Sequence, residues 1–521
     1  MEEGNFASQF LSSLERETVK VLGAAALIKP FLDRIGIAEI VNGYVSNGPE
    51  ITHGDVIEIL TINRLMAPRP LYHIERWAKG TAIEELYRLD AEKLNDDRCR
   101  RTLLAIFPHI SDIWADIVSS AVITCHIPID SFLYDLTSFY FEGSYDESDI
   151  IELGYSRDHK PDKVQANLGI NVTEDGIPFS YDIHNGSTAD ENTVLANMQK
   201  LQKLRAKLVE YCEEPLLITG DRKTISDEIV IKYHKQGVQY LAPVTITKDN
   251  KEIALSVSDE EFDNHKLDYR DRSKGAYWAV FRPITFEYNS KKATDRVLVV
   301  KSETKLRNDR KSREKAIKKI EGKLKHIEAQ LNTRKYKDPD YVKYMAKKAV
   351  SGSRTKKYFV YDVKGGYGEV EFTWDLKKEL IGEDEKLDGK YMLATNKDFD
   401  SEEEVLIAYK GRDKVEKRIS TLKSTVRIRP MFLEKDEEIA ALVFVIMLSL
   451  LIYSIIEVLC RKRWEKMTAR QAFLKFEFLS IVCYQFKDRS KLLNVNGLDP
   501  QQEAILTALG VPKPDEYLTN S

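Results

Sequence analysis

The spacing of apolar and polar positions divides the chain into segments of different period. Residues 131–138, in SFLYDLTSFYFEG, are dense in Phe, Leu and Tyr and predict a largely buried strand. A polar loop, GYSRDHKPDK, separates it from predicted strands at 165–172 (QANLGINV) and 178–184 (PFSYDIH). A helix follows over roughly 190–212. The short apolar run Leu216, Leu217 and Ile218 predicts a strand over 215–220, closed by Gly220 and Asp221. A helix over 223–234 and a strand over 239–244 (QYLAPV) come next.

Residues 1–128 read as mostly helical, with amphipathic runs at 8–19, 54–66 and 98–120 and an interruption at Pro68 and Pro70. Residues 245–387 are too long for a connection and imply an inserted domain. That stretch is β-rich in GAYWAVFRPITFEY and DRVLVVKSE, then carries a long basic helix at 303–334, then more strands in KKYFVYDV and GEVEFTWDL. Trp278 and Trp374 are strand aromatics whose first expected role is core packing, with base stacking as the sharper alternative. Residues 439–456 (IAALVFVIMLSLLIYSII) approach the length of a membrane span. Acidic EKDEE before it, RKRW after it and its isolation in a polar chain favour a buried helix. Residues 461–521 read as helical and polar-rich. The expected division is therefore 1–128, 129–244, 245–387, 388–460 and 461–521.

Chemistry concentrates in IAYKGRDKVEKRISTLKS. Tyr409, Arg412, Glu416 and Lys423 stand at offsets of three, four and seven, which predicts one face of one helix. A carboxylate can hold a divalent metal, and Arg and Lys beside it can hold phosphate oxygens. Taken alone, Arg412 and Glu416 are also an ordinary solvated i,i+4 pair, and Asp413 reads as solvated. Two upstream acids change the balance. Asp135 falls inside a buried strand, where a carboxylate is costly unless paired or metal-bound. Asp221 ends a strand, and its plain alternative is an N-cap of the next helix. Three strands in meander followed by α-β-α-β is the order of a ribonuclease-H-like α/β fold. In that order the first and fourth strands are neighbours, about 4.8 Å apart. Two carboxylates there suit metal ions spaced about 3.5–4 Å.

These residues and segments resemble the DDE transposases of bacterial insertion sequences, in the YREK-signature group of the insertion-sequence-4-like superfamily. The four-residue pattern matches in type and spacing, as do YDLTSFYFEG, LGYSRDHKPDKVQANLGI, ITGDRK and DGKYMLATN, in the same order. The resemblance runs from about residue 20 to 460. It implies that Asp135, Asp221 and Glu416 are the catalytic, metal-binding acids, with two Mg2+ (or Mn2+) ions. It implies that Tyr409, Arg412 and Lys423 contact DNA near the cleaved phosphate. It further implies a ribonuclease-H-like core interrupted by a β-rich insertion domain, with helical N- and C-terminal regions. The expected partners are double-stranded DNA, as terminal inverted repeats and target, and a second copy of the chain in a homodimer. The expected activity is cut-and-paste transposition. A metal nuclease that cuts without joining, and a DNA-binding regulator derived from a transposase, are the alternatives. In NDDRCRRTLLAIF (95–107) the three arginines suit a DNA-reading helix or a packed one. Asp158 and Asp162 would orient the site or serve a turn at Pro161.

Charge refines this picture. The chain holds 79 Lys/Arg against 83 Asp/Glu, net −4, which alone argues against a DNA binder. The charge is uneven, however. Residues 301–325 hold eleven Lys/Arg against four Asp/Glu, and residues 410–429 hold eight against two. A local basic stripe attracts DNA even on a slightly acidic chain. The five cysteines show no metal-binding spacing. They suggest reduced thiols, and with no apolar leader at the N-terminus the expectation is a cytoplasmic, nucleoid-associated protein without a membrane role.

Overall fold

The described part of the chain opens with a strand, β1 (Leu14–Val21), where the amphipathic spacing of 8–19 predicts a helix. Its alternating burial over Thr18–Val21 and its β-branched residues suit a sheet surface. The computed structural model describes every residue except 1–12, 47–49, 144, 155–159, 161, 189, 271–274, 353, 429–432, 489 and 519–521. The chain forms two compact units, Met1–Thr224 with Gly411–Ser521, and Ile225–Lys410.

In the first unit β1 leads into helices. The expected run at 54–66 is the helix His53–Met66, opened by a capping box between Thr52 and Asp55. The run at 98–120 is two helices, Asp96–Ile106 and Ile110–Cys125, parted by a single 3-10 turn containing Pro108. The arginines of the first of these have protein partners. Arg98 donates to the Ile51 carbonyl at 2.5 Å, Arg100 pairs with Glu438 at 2.5 Å and Arg101 with Asp97 at 2.9 Å.

The strands at the centre of this unit follow the apolar runs closely. They are β2 (Ser131–Tyr140), β3 (Gln165–Thr173), β4 (Pro178–Asn185) and, after the helix Asp190–Ala206, β5 (Leu217–Thr219). Their order is β4-β3-β2-β5. The meander is antiparallel, and β5 joins β2 in parallel, as a crossover through a helix requires. Every residue of β3 is buried, which explains its unbroken, non-alternating sequence.

The second unit has its own sheet strands and its own core. The strands are β6 (Gln239–Val244), β7 (Tyr277–Tyr288), β8 (Lys291–Ser302), β9 (Phe359–Lys364), β10 (Glu371–Leu376) and β11 (Lys390–Thr395). Within the unit the order β6-β11-β8-β7 is antiparallel throughout. Asn289 and Ser290, with φ of 49° and 63°, make the tight β7–β8 turn. The basic helix, Glu303–Gln330, buries only Ile320, Leu324 and Ile327, spaced four and three apart. That stripe packs with Val342, Ala346, Phe359 and Phe372. Arg307, Arg310, Lys311, Lys315, Lys318, Lys319, Lys323 and Lys325 stay exposed. Trp374 packs against this core beside Phe359, and its indole N–H donates to Glu328 at 3.4 Å. Trp278 is half-buried, with the Lys301 ammonium 5.8 Å from its ring centre.

Back in the first unit, the apolar run at 439–456 is the middle of a helix, Asp436–Arg463. It is long and apolar enough to cross a bilayer, as is the run Asp96–Cys125. Its most apolar stretch is 94 % buried, against Trp114 and Phe473 among others. Two further strands, β12 (Ser480–Phe486) and β13 (Lys491–Val495), follow it. They give the order β1-β12-β13, so neither end of the chain is purely helical as expected. A strand whose partner lies more than 450 residues away leaves no local signature of the pairing. All five cysteines are free thiols.

Leu448 on the buried helix is fully covered. Leu448→Ala is expected to cost about 2–5 kcal/mol, read as a lower denaturation midpoint; a cost below about 1 kcal/mol would contradict a well-packed site.

Candidate active site

Asp135 and Asp221 come together through backbone pairing. The parallel register sets Leu133 opposite Thr219, and two further residues bring Asp135 level with Asp221. The two acids line one cavity of about 80 Å³, walled also by Tyr134, Leu136, Val194, Lys223 and Thr224. A water takes up about 30 Å³ of liquid, so a small cation with part of its hydration fits this space. A larger cavity of about 470 Å³, lined by Arg64, Arg100, Arg427 and Glu438 among others, shares no residue with it.

The local sequence explains how each acid is held. Asp135 Oδ1 accepts the Leu136 amide at 2.9 Å. Asp221 follows Gly220, where a Cβ would lie 2.3 Å from Thr224 side-chain atoms, so only glycine admits this close turn. The Asp221 carbonyl accepts the Thr224 hydroxyl at 2.6 Å, and its Oδ1 accepts the Lys223 amide at 2.8 Å. Asp221 does not cap the next helix. That helix is Asp227–Gln236, and Ser226 caps it through the Ile229 amide at 3.3 Å.

Asp135 is electrostatically strained. Burial pushes its carboxyl up from 3.8 to about 6. The Arg412 guanidinium opposes this, while the like charges of Asp221 and Glu416 add to it. All three of these groups act on Asp135 within the first unit. Among the described residues, however, no three carboxylate, imidazole or thiolate groups stand close enough to share one ion. Asp135 and Asp221 share a cavity; Glu416 reaches them by its field and completes no closed ligand set.

The four-residue pattern does not lie on one helix. Tyr409 ends the helix Glu402–Lys410, Gly411 and Arg412 form a turn, and a second helix, Asp413–Ser424, carries Glu416 and Lys423. Gly411 disfavours a continuous helix. The turn is tight, with Gly411 accepting from the Lys414 amide at 3.0 Å and Arg412 from that of Val415 at 3.1 Å. Tyr409 belongs to the second unit, and Arg412, Glu416 and Lys423 belong to the first. The second helix packs on β2 and β3 through buried Val415 and Leu422, leaving Glu416 exposed. Asp413 and Glu416 sit in its first turn and Lys423 in its last, an arrangement the helix dipole favours. Asp413 is exposed and pairs with Lys417 at 2.6 Å. Asp162 is exposed in a turn; Asp158 and Pro161 lie outside the described residues. Arg418, buried and bonded to Glu457, does not stand out in the sequence, because one arginine in a basic run looks like any other.

Comparison with known proteins gives the family of the chain. Residues 126–452 match the family described as "Transposase DDE domain", and residues 17–119 match "Domain of unknown function (DUF4277)". The first match covers well over half of the chain, which therefore belongs to the DDE transposase family. No curated protein matches the sequence. Among solved structures the chain is similar to a piggyBac transposase synaptic complex with hairpin DNA. The identity is 11%, the TM-score 0.40, and the match covers 89% of this chain and 82% of that one. It is also similar to a Mos1 transposase paired-end complex with left transposon end, at 8% identity and TM-score 0.16, covering 37% and 60%. Both likenesses are too low to fix the fold by themselves.

The shift at Asp135 has a stability consequence. The folded chain holds this proton more tightly than the unfolded one, so ionising the group costs stability as pH rises from about 4 to about 6. The cost is then complete at neutral pH. Asp135→Asn should therefore stabilise the cation-free protein at pH 7 by on the order of 1–3 kcal/mol, and the gain should vanish below about pH 4. Denaturant titrations at both pH values check this; a variant less stable at pH 7 would speak against the desolvated carboxylate.

Proposed function

We propose that the chain is the transposase of an insertion sequence of the YREK-signature group. It hydrolyses the phosphodiester at the element ends and directs the freed 3′-OH at target DNA, in cut-and-paste fashion. The observation that carries this is the pair Asp135 and Asp221 on one cavity, with Asp135 pushed up to about 6 by burial, against the opposing charge of Arg412. Strongly shifted acids grouped in a cavity are typical of functional sites. The order β4-β3-β2-β5, with β2 and β5 parallel, supports a ribonuclease-H-like core. The strands of Ile225–Lys410 support a β-rich insertion.

The donor set fits a divalent cation. Carboxylate oxygens suit Mg2+ or Mn2+, and a cation would offset the cost of holding a charge on buried Asp135. Asp135, Asp221 and Glu416 would hold it, two ions in all, with Glu416 turning in from its exposed position. When bound, the ions would supply an activated water and neutralise charge on the phosphoryl group. Arg412 and Lys423 would grip phosphate oxygens, and Tyr409 would offer its hydroxyl to the backbone, so that the attacking and leaving oxygens are aligned. Asp135 must be ionised to take part, and a bound cation would favour that form. The partners are double-stranded DNA and a second copy of the chain, since two element ends call for two sites, in the cytoplasm beside the nucleoid.

Incubation with Mg2+ and a duplex bearing the inverted repeats that flank the gene should give joined products. Cutting without joining would favour a metal nuclease instead. Asp135→Asn should bind the duplex normally and lose at least about a hundredfold in cleavage, within the range that single active-site groups contribute; normal cutting by that variant would remove Asp135 from the site. The exposed cations of the helix Glu303–Gln330 are expected to bind phosphates. Replacing Lys311, Lys315, Lys318 and Lys319 by Ala should weaken DNA binding and reduce the salt slope of log K by about 0.9 for each phosphate no longer neutralised. An unchanged slope would assign that face to solvent alone.

A further inference from the structure

The helix that carries Glu416 is anchored by a buried ion pair that the proposed chemistry does not use. Arg418 is 3% exposed, and Glu457, on the buried helix Asp436–Arg463, is 4% exposed. Arg418 Nη1 donates to Glu457 Oε1 at 2.8 Å, and its Nε donates to the Gly176 carbonyl at 2.5 Å. Glu457 also pairs with Arg461 at 3.1 Å and accepts the Ala469 amide at 3.4 Å. Gly176 turns the β3–β4 hairpin with φ of +78°, and a Cβ there would stand 3.3 Å from Arg418 Nε and 3.4 Å from Lys414 Cβ. The guanidinium thus lies directly on the turn. Lys414 reaches the same turn by donating to the Glu174 carbonyl.

Docking of this helix needs no charge, because Val415 and Leu422 are already fully buried. A buried Arg–Glu pair is often no more stable than apolar residues of similar volume, since desolvation offsets attraction. What the planar guanidinium adds is direction: one bond to the hairpin and one to the long helix. The hairpin is tied to the site, because β3 pairs with β2 at Ile170 and Asp135. Two helical residues are about 200° apart, so Arg418 points inward where Glu416 points outward. Rotation of the helix about its axis would swing Glu416 directly. We infer that Arg418 is a positioning residue that locks this helix against the β3–β4 hairpin and so fixes the backbone position from which the Glu416 side chain turns toward Asp135; this rests on the role proposed for Glu416.

The test compares wild type, Glu416→Gln, Arg418→Lys and the double variant Arg418→Met with Glu457→Met. Melting, duplex affinity, Mn2+ binding by electron paramagnetic resonance and cleavage are measured for each. The double variant should melt near wild type and bind DNA within about twofold, while Mn2+ affinity and cleavage turnover fall about 10–100-fold, as when the groups that orient metal ligands are removed. Arg418→Lys keeps the charge facing Glu457 but loses the fork. It should stay folded and lose about tenfold in the same two readouts. Either folded variant binding Mn2+ and cutting like wild type overturns the inference, and if the double variant does not fold, the lysine variant decides alone. A wild-type protein that does not cut, or Glu416→Gln that cuts normally, instead overturns the role of Glu416, so the two failures are told apart.

Discussion

Parallel pairing of β2 with β5 is the constraint from which the site follows. It sets two acids that are 86 positions apart beside one cavity, each of them half-buried. The apolar sequence of β2 and β3 makes that sheet, and the same apolar surroundings make a charge on Asp135 costly. Structure and chemistry here have a single origin. A more polar β2 would hold its carboxylate at no cost and would also lose the buried pairing that positions it.

The surrounding charges are arranged around that cost. Arg412 lies in a turn, where its backbone is set by tight hydrogen bonds, and it offsets part of the penalty. Glu416 adds to the penalty from the exposed side of a helix whose first turn favours anions. An arrangement that is unfavourable when empty and is relieved by positive charge is what a cation or a phosphate-bound ion complex needs from its receptor. The site thus gives up stability for charge density, as functional sites commonly do.

Much of this is legible in the sequence. β2, β3, β4 and β6 fall within two residues of their predicted ends, because long apolar runs bounded by polar loops carry their own boundaries. Asp135 is conspicuous for the same reason, as a charge in a buried run. The helix break at Gly411 is not legible, since the i,i+3 and i,i+4 spacing on either side fits a continuous helix equally well. The N-cap role goes to Ser226 rather than Asp221, because the 3-10 turn at Arg222–Thr224 inserts a step that periodicity does not show. β1 escapes a local reading because its hydrogen-bond partner, β12, lies more than 450 residues further along the chain. Arg418 escapes it because burial of one cation among many is decided by tertiary packing alone.

The pairing of β1 with β12 has a consequence for how the molecule comes into being. β1 emerges from the ribosome with its edge groups open and cannot close its sheet until β12, which begins at Ser480, has been made. Glu416 and its helix are likewise synthesised only after the whole of Ile225–Lys410. A nascent chain therefore has Asp135 and Asp221 before it has Glu416 or a closed β1-β12-β13 sheet. Any role that needs Asp135 together with Glu416 is complete only after both Ile225–Lys410 and the helix Asp413–Ser424 have been made.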